Sequence, residues 1–281
     1  MVDVSAVRLG MPDLAVGDLL GSCLFNLLIL AVADLFHRAP HRMLSGASVA
    51  HALSATQTIV MTGLAGLGIL LAPRIASYAI AGLSYGTLAI LVAYVLGLRL
   101  VYYDQRLPIA GTPAEGAPPS DGRRPSRLTR PVLGYLTAAA AVLVAAPFLA
   151  EAAGEIAEAT GLGNTFVGTT LVAFCTSLPE LVTTAAAVRM GAFDLALGNI
   201  FGSNAFNVVI LVPLDFVSPG PLLVDVSPAH AVTDLAVVVI TGVTVLGQLY
   251  RAERRWFFLE PDAALVIVLV TLTLWGLYFL R

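Results

Sequence analysis

Long apolar stretches dominate this sequence and restrict it to one class of fold. A membrane-crossing helix needs about 20 mostly apolar residues, and eight segments meet that length. They lie at residues 14–36, 48–72, 76–101, 132–150, 163–188, 193–216, 228–249 and 262–280. With 58% hydrophobic and 12% charged residues, the chain could not bury its apolar surface in one water-soluble core. The sequence therefore predicts an all-α integral membrane protein, and argues against a soluble enzyme, a nucleic-acid binder and a disordered chain.

One polar segment interrupts the apolar pattern and indicates how the chain is divided. Residues 103–131 are rich in Pro, Gly, Ser and Arg, a composition typical of a disordered linker. If this linker is cytoplasmic, twelve of the fifteen basic residues, all of them Arg, lie on the cytoplasmic side, as the positive-inside rule requires. We therefore expect a first half at 1–102, a cytoplasmic linker at 103–131 and a second half at 132–281, in a multi-pass protein of a bacterial inner membrane.

The two halves share a duplicated segment. Residues 7–35 align with residues 188–216 at a constant offset of 181, and fourteen of the 29 positions are identical. The matches include polar and small residues that chance similarity between apolar helices would not produce: Gly17 and Gly198, Gly21 and Gly202, Ser22 and Ser203, Asn26 and Asn207. Five predicted crossings separate the copies, so they have opposite orientations. Inverted repeats are typical of secondary transporters, whose ion sites lie near the bilayer midplane.

The first chemically informative segment lies at residues 163–187, within one predicted span. Thr176, Ser177 and Glu180 fall in mid-span around Pro179. Because proline cannot bond the carbonyl four residues earlier, here that of Cys175, the pattern predicts a kink with freed carbonyl oxygens. A carboxylate at membrane depth costs about 2.5–3.5 kcal/mol, so Glu180 should face the interior and bind something. Hydroxyl, carbonyl and carboxylate oxygens suit Na⁺ or Ca²⁺ better than a soft metal.

The second informative segment lies at residues 198–207. Gly198 and Gly202 are four residues apart, a spacing typical of closely packed membrane helices. Ser203 and Asn207 are also four apart and share one helix face. We expect close packing at the two glycines to bring both polar side chains toward the kink at Pro179.

Together these motifs resemble those of a known transporter family. A TSxPE segment followed by GNxxGSNxxN, duplicated and inverted, is similar to the cation/calcium exchanger superfamily, which includes sodium/calcium and proton/calcium antiporters. The resemblance implies an inverted-repeat transporter bundle, with about eight of an expected ten transmembrane helices in this chain. It also implies that Glu180 is the acidic ligand shared by Ca²⁺ and the counter-ion, without a cofactor. Further oxygen ligands would come from the Ala173 carbonyl and from Thr176, Ser177, Ser203, Asn207, Ser22 and Asn26.

The sequence departs from the family pattern in several places. Asp18 replaces the Asn of the first GN pair, and Cys175 stands where the family usually has Gly. Asn207 stands where several sodium-coupled members have Asp, which leaves the coupling ion open. Residue 1 aligns with residue 182 of the second copy, so a first-copy TSxPE is absent. We expect a misassigned initiation codon, with a fragment or a genuine loss as the alternatives.

These observations lead to an expectation for function and to three alternatives. We expect a secondary antiporter that exchanges Ca²⁺ for Na⁺ across the lipid bilayer. A Ca²⁺/H⁺ antiporter and a truncated, non-transporting membrane paralogue are the alternatives, whereas a membrane enzyme is disfavoured because HExxH and nucleophile-elbow motifs are absent. His51 and His230 occupy equivalent repeat positions, where capping or interfacial roles are expected. Asp34 and Asp215 should be solvated at helix ends, and Asp234 could line a pore or lie at the interface.

Overall fold

The structure, a computed structural model, describes residues 1–36, 49–75, 79–80, 83–104, 129–250 and 261–281. The helices are α1 (Val2–Arg8), α2 (Pro12–Phe36), α3 (Val49–Ile75), α4 (Tyr85–Asp104), α5 (Thr129–Thr160), α6 (Gly163–Val167), α7 (Ala173–Thr176), α8 (Leu178–Arg189), α9 (Phe193–Val217), α10 (Ala229–Tyr250) and α11 (Pro261–Leu280). A π-helical turn, Gly168–Val172, joins α6 to α7, and the short strands β1 (Ala79–Ile80) and β2 (Leu83–Ser84) pair antiparallel before α4.

Seven of the described helices are long and apolar enough to cross a membrane. The bent segment that runs from α6 through α8 adds an eighth if it is counted as one span. The prediction of an all-α, multi-pass membrane protein with about eight spans is therefore confirmed.

Two of the predicted spans have different bounds in the structure. The span predicted at 76–101 begins only at Tyr85, because Ser84 starts α4 as its N-cap and its hydroxyl accepts a bond from the Thr87 N–H at 3.4 Å. The buried Asp215 carboxylate holds this turn by accepting bonds from the Ser84 N–H at 2.8 Å and the Thr87 hydroxyl at 2.6 Å. The helix predicted at 132–150 continues to Thr160, since small side chains such as Ala153 stay buried beyond the last apolar run.

Helices α2 and α9, which carry the duplicated segment, cross inside the bundle. The Cys23 thiol lies 3.7 Å from the Asn204 carbonyl, and the Asn204 amide donates to the Cys23 carbonyl at 3.3 Å. Because these residues occupy the same position in their copies, their mutual contact marks a pseudo-twofold axis between the copies, as equivalent residues meet on the axis of a symmetric dimer.

Close helix packing occurs at the glycines of the first copy rather than at those of the second. A Cβ added at Gly21 would lie 2.4 Å from the Thr169 carbonyl oxygen, and one at Gly17 would lie 2.9 Å from the Thr169 nitrogen. In contrast, no described heavy atom lies within 4 Å of a Cβ built at Gly202, and at Gly198 the nearest is in His51 at 3.6 Å. The predicted close approach at Gly198 and Gly202 is therefore wrong, because α2 and not α9 packs against the α6–α7 segment.

Two histidine–aspartate pairs connect the repeats in a crossed pattern. Asp13 at the start of α2 contacts His230 of α10 at 3.0 Å, and Asp194 at the start of α9 contacts His51 of α3 at 3.1 Å. The His230 side chain is fully buried, whereas that of His51 is 15% exposed. Asp13 also accepts a bond from the Ser227 N–H at 2.6 Å. Each pair thus joins an aspartate of one copy to a histidine of the other.

Most of the linker predicted at 103–131 lies outside the described residues. The loops that hold Arg38, Arg42, Arg251, Arg254 and Arg255 also lie outside them. The division into 1–102, 103–131 and 132–281 and the predicted sidedness therefore stay predictions.

Candidate cation-binding site

The span that carries the TSxPE segment is broken rather than continuous. Helices α6 and α7 with the π-helical turn form its first half, α8 forms its second, and the halves meet at 44°. The break lies at Ser177, two residues before Pro179, which fits into the first turn of α8 where proline is tolerated. The bend was expected, but the freed Cys175 carbonyl is a wrong expectation, because a backbone N–H at the end of α7 bonds it.

The π-helical turn is a feature that the sequence analysis missed. It spans Gly168–Val172, where the threonine hydroxyls bond backward along the helix, Thr169 to the Thr165 carbonyl at 2.8 Å and Thr170 to the Phe166 carbonyl at 2.6 Å. Such back-bonding satisfies carbonyls that a wider turn displaces. The sequence signal for this turn was Gly168 followed by Thr169 and Thr170. The same residues fit an ordinary α-helix equally well, so they did not predict a π-helical turn.

Glu180, in the first turn of α8, points into the protein and toward α9. Its Oε1 accepts a bond from the Ser203 hydroxyl at 2.9 Å. Its buried Oε2 has no hydrogen-bond partner among the described residues. One oxygen of the carboxylate is therefore oriented by the protein and the other is available to a ligand.

A second group of oxygens gathers around Thr176 at the end of α7. The Thr176 hydroxyl lies 3.0 Å from the Ser22 hydroxyl of α2 and donates to Asp18 Oδ1 at 2.5 Å. Ser22 also lies 3.5 Å from the Ala173 carbonyl oxygen. Oxygens of the first copy, on α2, thus meet oxygens of the second half at the break in the span.

These two groups share one cavity of about 370 Å³. Its polar lining consists of Asp3, Asp18, Ser22, Thr176, Ser177, Glu180 and Asn207. The Ser177 hydroxyl is 2% exposed and has no hydrogen-bond partner among the described residues. Across the described ranges, His, Cys, Asp and Glu side chains do not gather in threes to hold a metal ion. A cation here would therefore need hydroxyl and amide oxygens beside its carboxylates.

Two of the residues predicted for the site lie differently from the rest. Asn26 is fully buried away from the cavity lining, and its amide donates to Asn204 Oδ1 at 2.8 Å. The Ala173 carbonyl keeps its helical bond from the Ser177 N–H at 3.0 Å. The remaining predicted side chains, Ser22, Thr176, Ser177, Glu180, Ser203 and Asn207, line the cavity or bond a residue that does.

The structure also places acidic residues that the sequence analysis misjudged. Asp34 and Asp215 are 2% and 3% exposed, so the expectation that they are solvated is wrong. Asp215 bonds the Leu222 N–H at 2.7 Å besides the start of α4. Asp234 is 1% exposed, and a Cβ added at Gly66 of α3 would lie 3.1 Å from the Asp234 Cβ. Asp234 therefore lies between packed helices rather than at the membrane–water interface.

Comparison with known proteins agrees with this architecture. Residues 130–280 match the family model described as sodium/calcium exchanger protein. The chain is 45% identical over 75 residues to the sodium/calcium exchanger MaX1 of Methanosarcina acetivorans, a match covering 27% of this chain and 21% of that protein. It is 31% identical over 227 residues to CaxA of Alkalimonas amylolytica, covering 78% of this chain and 66% of that one. Both matches span less than two thirds of the relative's length.

The fold is shared with a solved exchanger structure. That of the sodium-calcium exchanger NCX_Mj, soaked with Na⁺ and Sr²⁺, superposes with a TM-score of 0.56 at 23% identity, over 96% of this chain and 78% of that one. Family and fold are those of an exchanger rather than an enzyme. The chain belongs to the sodium/calcium exchanger protein family.

Proposed function

We propose that this protein is a secondary antiporter that exchanges Ca²⁺ for Na⁺ across the membrane. The observation that carries the proposal is the Glu180 carboxylate, which is held by Ser203 at 2.9 Å and leaves one oxygen free beside the cavity at the break in its span. A carboxylate at membrane depth is costly unless it serves an ion path. An oxygen-lined opening at a broken helix is a setting in which transporters bind ions.

The proposed ligands are oxygens of both repeats. Glu180 supplies the charge, Thr176 and Ser177 supply hydroxyls, and Asn207 supplies an amide oxygen, with Ser22 and Ser203 completing the set. Such a set suits hard cations. Because Ca²⁺ and the counter-ion would compete for the same carboxylate, one ion leaves as the other binds, and the two fluxes are coupled.

The test is Ca²⁺ uptake by the purified protein in liposomes loaded with Na⁺. Glu180→Gln keeps the size and the hydrogen bond from Ser203 but removes the charge, so we expect uptake to fall to background. Glu158→Gln is the matched control, because it makes the same change at an exposed position at the end of α5. Wild-type uptake in Glu180→Gln would refute the proposal.

The coupling ion is tested in the same liposomes. We expect uptake to require an outward Na⁺ gradient and to vanish when Na⁺ is replaced by a pH gradient. Uptake driven by the pH gradient alone would instead identify Ca²⁺/H⁺ exchange, a variant that the neutral Asn207 in the cavity leaves open. Correct insertion without flux under either gradient would identify a non-transporting paralogue.

A further inference from the structure

Asp18 lies in the candidate site, although its position in the repeat gives no reason to expect it there. Its equivalent in the second copy is Asn199, which donates to the hydroxyls of Thr183 at 2.9 Å and Thr184 at 3.1 Å. Those bonds tie α9 to α8, and Asn199 does not line the cavity. Asp18 instead accepts bonds from Thr176 at 2.5 Å and from Ser22 at 3.3 Å, two of the proposed ligands.

A structural role equivalent to that of Asn199 does not account for Asp18. The first-copy counterpart of Thr184 is Asp3, whose carboxyl group adjoins that of Asp18. Where the second copy has an amide that donates to a hydroxyl, the first has two carboxylates, which accept but do not donate when ionised. Like charges in contact repel strongly in a poorly polarisable interior. The pair is therefore stable only with a positive charge or a shared proton beside it, and the Met1 amino group, in the same cavity wall, supplies part of that charge at Asp3.

Two buried oxygens on residues that line the same cavity as Asp18 have no hydrogen-bond partner among the described residues. Asp3 is 7% exposed and its Oδ1 has no hydrogen-bond partner within the described ranges. Ser177, 2% exposed, likewise has an unpartnered Oγ there. Buried polar atoms without partners carry a desolvation cost that a bound cation would relieve. Both residues line the cavity together with Asp18 and Glu180.

We infer that Asp18 is a second acidic ligand of the cation site, paired with Glu180 to bind a divalent cation. This inference rests on the proposed function and adds to it a reason for binding a divalent cation, namely the match between the charge of the ligands and that of the ion. Among the described residues proposed as ligands above, Glu180 carries the single negative charge, whereas Ca²⁺ carries two positive charges. Asp18 brings the charge of the proposed ligands to two, and Asp3 adds a further carboxyl group to the same cavity wall, a set that suits a divalent ion better than a single monovalent one.

The inference is tested by titrating the purified protein in detergent with Ca²⁺ and measuring the heat of binding by calorimetry. Asp18→Asn keeps an oxygen that can accept the Thr176 bond and recreates the GN pair of the second copy, so it isolates the charge. We expect Ca²⁺ affinity to fall about tenfold or more, and Na⁺ affinity to fall less, because removal of the negative charge costs a divalent ion twice the Coulomb energy that it costs a monovalent one. Asp18→Glu, which keeps the charge, should retain measurable binding.

Two further variants separate the possible failures. Asp225→Asn removes one carboxylate from an exposed loop and should bind Ca²⁺ like the wild type, and Glu180→Gln should lose binding. If Glu180→Gln loses binding while Asp18→Asn binds like the wild type, Asp18 only positions Thr176 and Ser22, and the inference is overturned while the proposed function stands. If the wild type binds no Ca²⁺, both are overturned. Thermal unfolding of each variant verifies that the compared proteins are folded.

Discussion

Among single residues, Ser203 determines how the Glu180 carboxylate is presented. Its hydroxyl occupies one oxygen at 2.9 Å, so the other is directed to the cavity. Ser203 and Asn207 lie one turn apart on α9, and Asn207 lines the same cavity. Glu180, Ser203 and Asn207 therefore form one polar group, in which Glu180 is the charged member.

Replacing Asn207 with Asp should make transport more dependent on Na⁺. The change adds a second charge near Glu180 at almost constant volume, and we expect Na⁺ affinity to rise about tenfold. The measurement is the initial rate of Ca²⁺ uptake as a function of the opposing Na⁺ concentration. Asn164→Asp, at the start of α6 and outside the cavity lining, is the control. An unchanged Na⁺ dependence would count against a ligand role for Asn207.

At this scale the sequence predicted the side chains on α7, α8 and α9 but not the setting of Asn26. The duplicated motif makes Asn26 and Asn207 equivalent, yet Asn26 faces Asn204 in the core and Asn207 faces the cavity. The motif specifies which residues share a helix face. It does not specify which neighbour covers that face, because that depends on packing between distant segments.

Among the helices, the glycines of α2 let it approach the broken span. Gly17 and Gly21 contact backbone atoms of Thr169 and its neighbours, so α2 brings Ser22 within 3.0 Å of Thr176. Helices in a bilayer gain stability from such close contact between small residues. The meeting of oxygens from both repeats therefore depends on the absence of two Cβ atoms.

Gly21→Ala should destabilise the protein, and Gly202→Ala should not. A methyl group at Gly21 would lie 2.4 Å from a backbone oxygen that cannot rotate away, and overpacking of this kind costs about 1–3 kcal/mol. At Gly202 the described residues leave open space, and alanine is the better helix former by up to about 1 kcal/mol. Thermal unfolding in detergent compares the two, and equal midpoints would contradict the packing described.

The break in the span was predictable from sequence, but its exact place and the adjacent π-helical turn were not. Pro179 indicates that a helix cannot pass through unchanged, and a chain can satisfy that by ending one helix earlier, as it does at Ser177. The π-helical turn Gly168–Val172 lies where α2 packs closely against it, a contact between distant segments that the local sequence does not show.

For the whole molecule, the crossed pairs Asp13–His230 and Asp194–His51 connect the inverted copies. Together with the contact of Cys23 with Asn204, they show that the repeats interlock rather than lie side by side as separate domains. The sequence showed the duplication and its inversion. It did not show this interlocking, because an internal offset carries no information about which copy's residues pair.

His230→Ala should cost more stability than His51→Ala. His230 is fully buried against Asp13, so its loss leaves a cavity and an under-bonded carboxylate, worth about 1–3 kcal/mol. His51 pairs with an aspartate that is 68% exposed, and exposed pairs contribute about 0–1 kcal/mol. Thermal unfolding of both variants in one detergent gives the comparison. A larger loss of stability for His51→Ala would show that burial does not determine how much these histidine–aspartate pairs stabilise the protein.

The two cysteines differ in a way that provides a native reporter of the cavity. Cys23 is buried at the crossing of α2 and α9, while Cys175 is exposed and forms part of the cavity wall beside Thr176. A sulfhydryl-directed fluorophore would therefore attach at one place on the unaltered chain, and its emission would register ions arriving next to it.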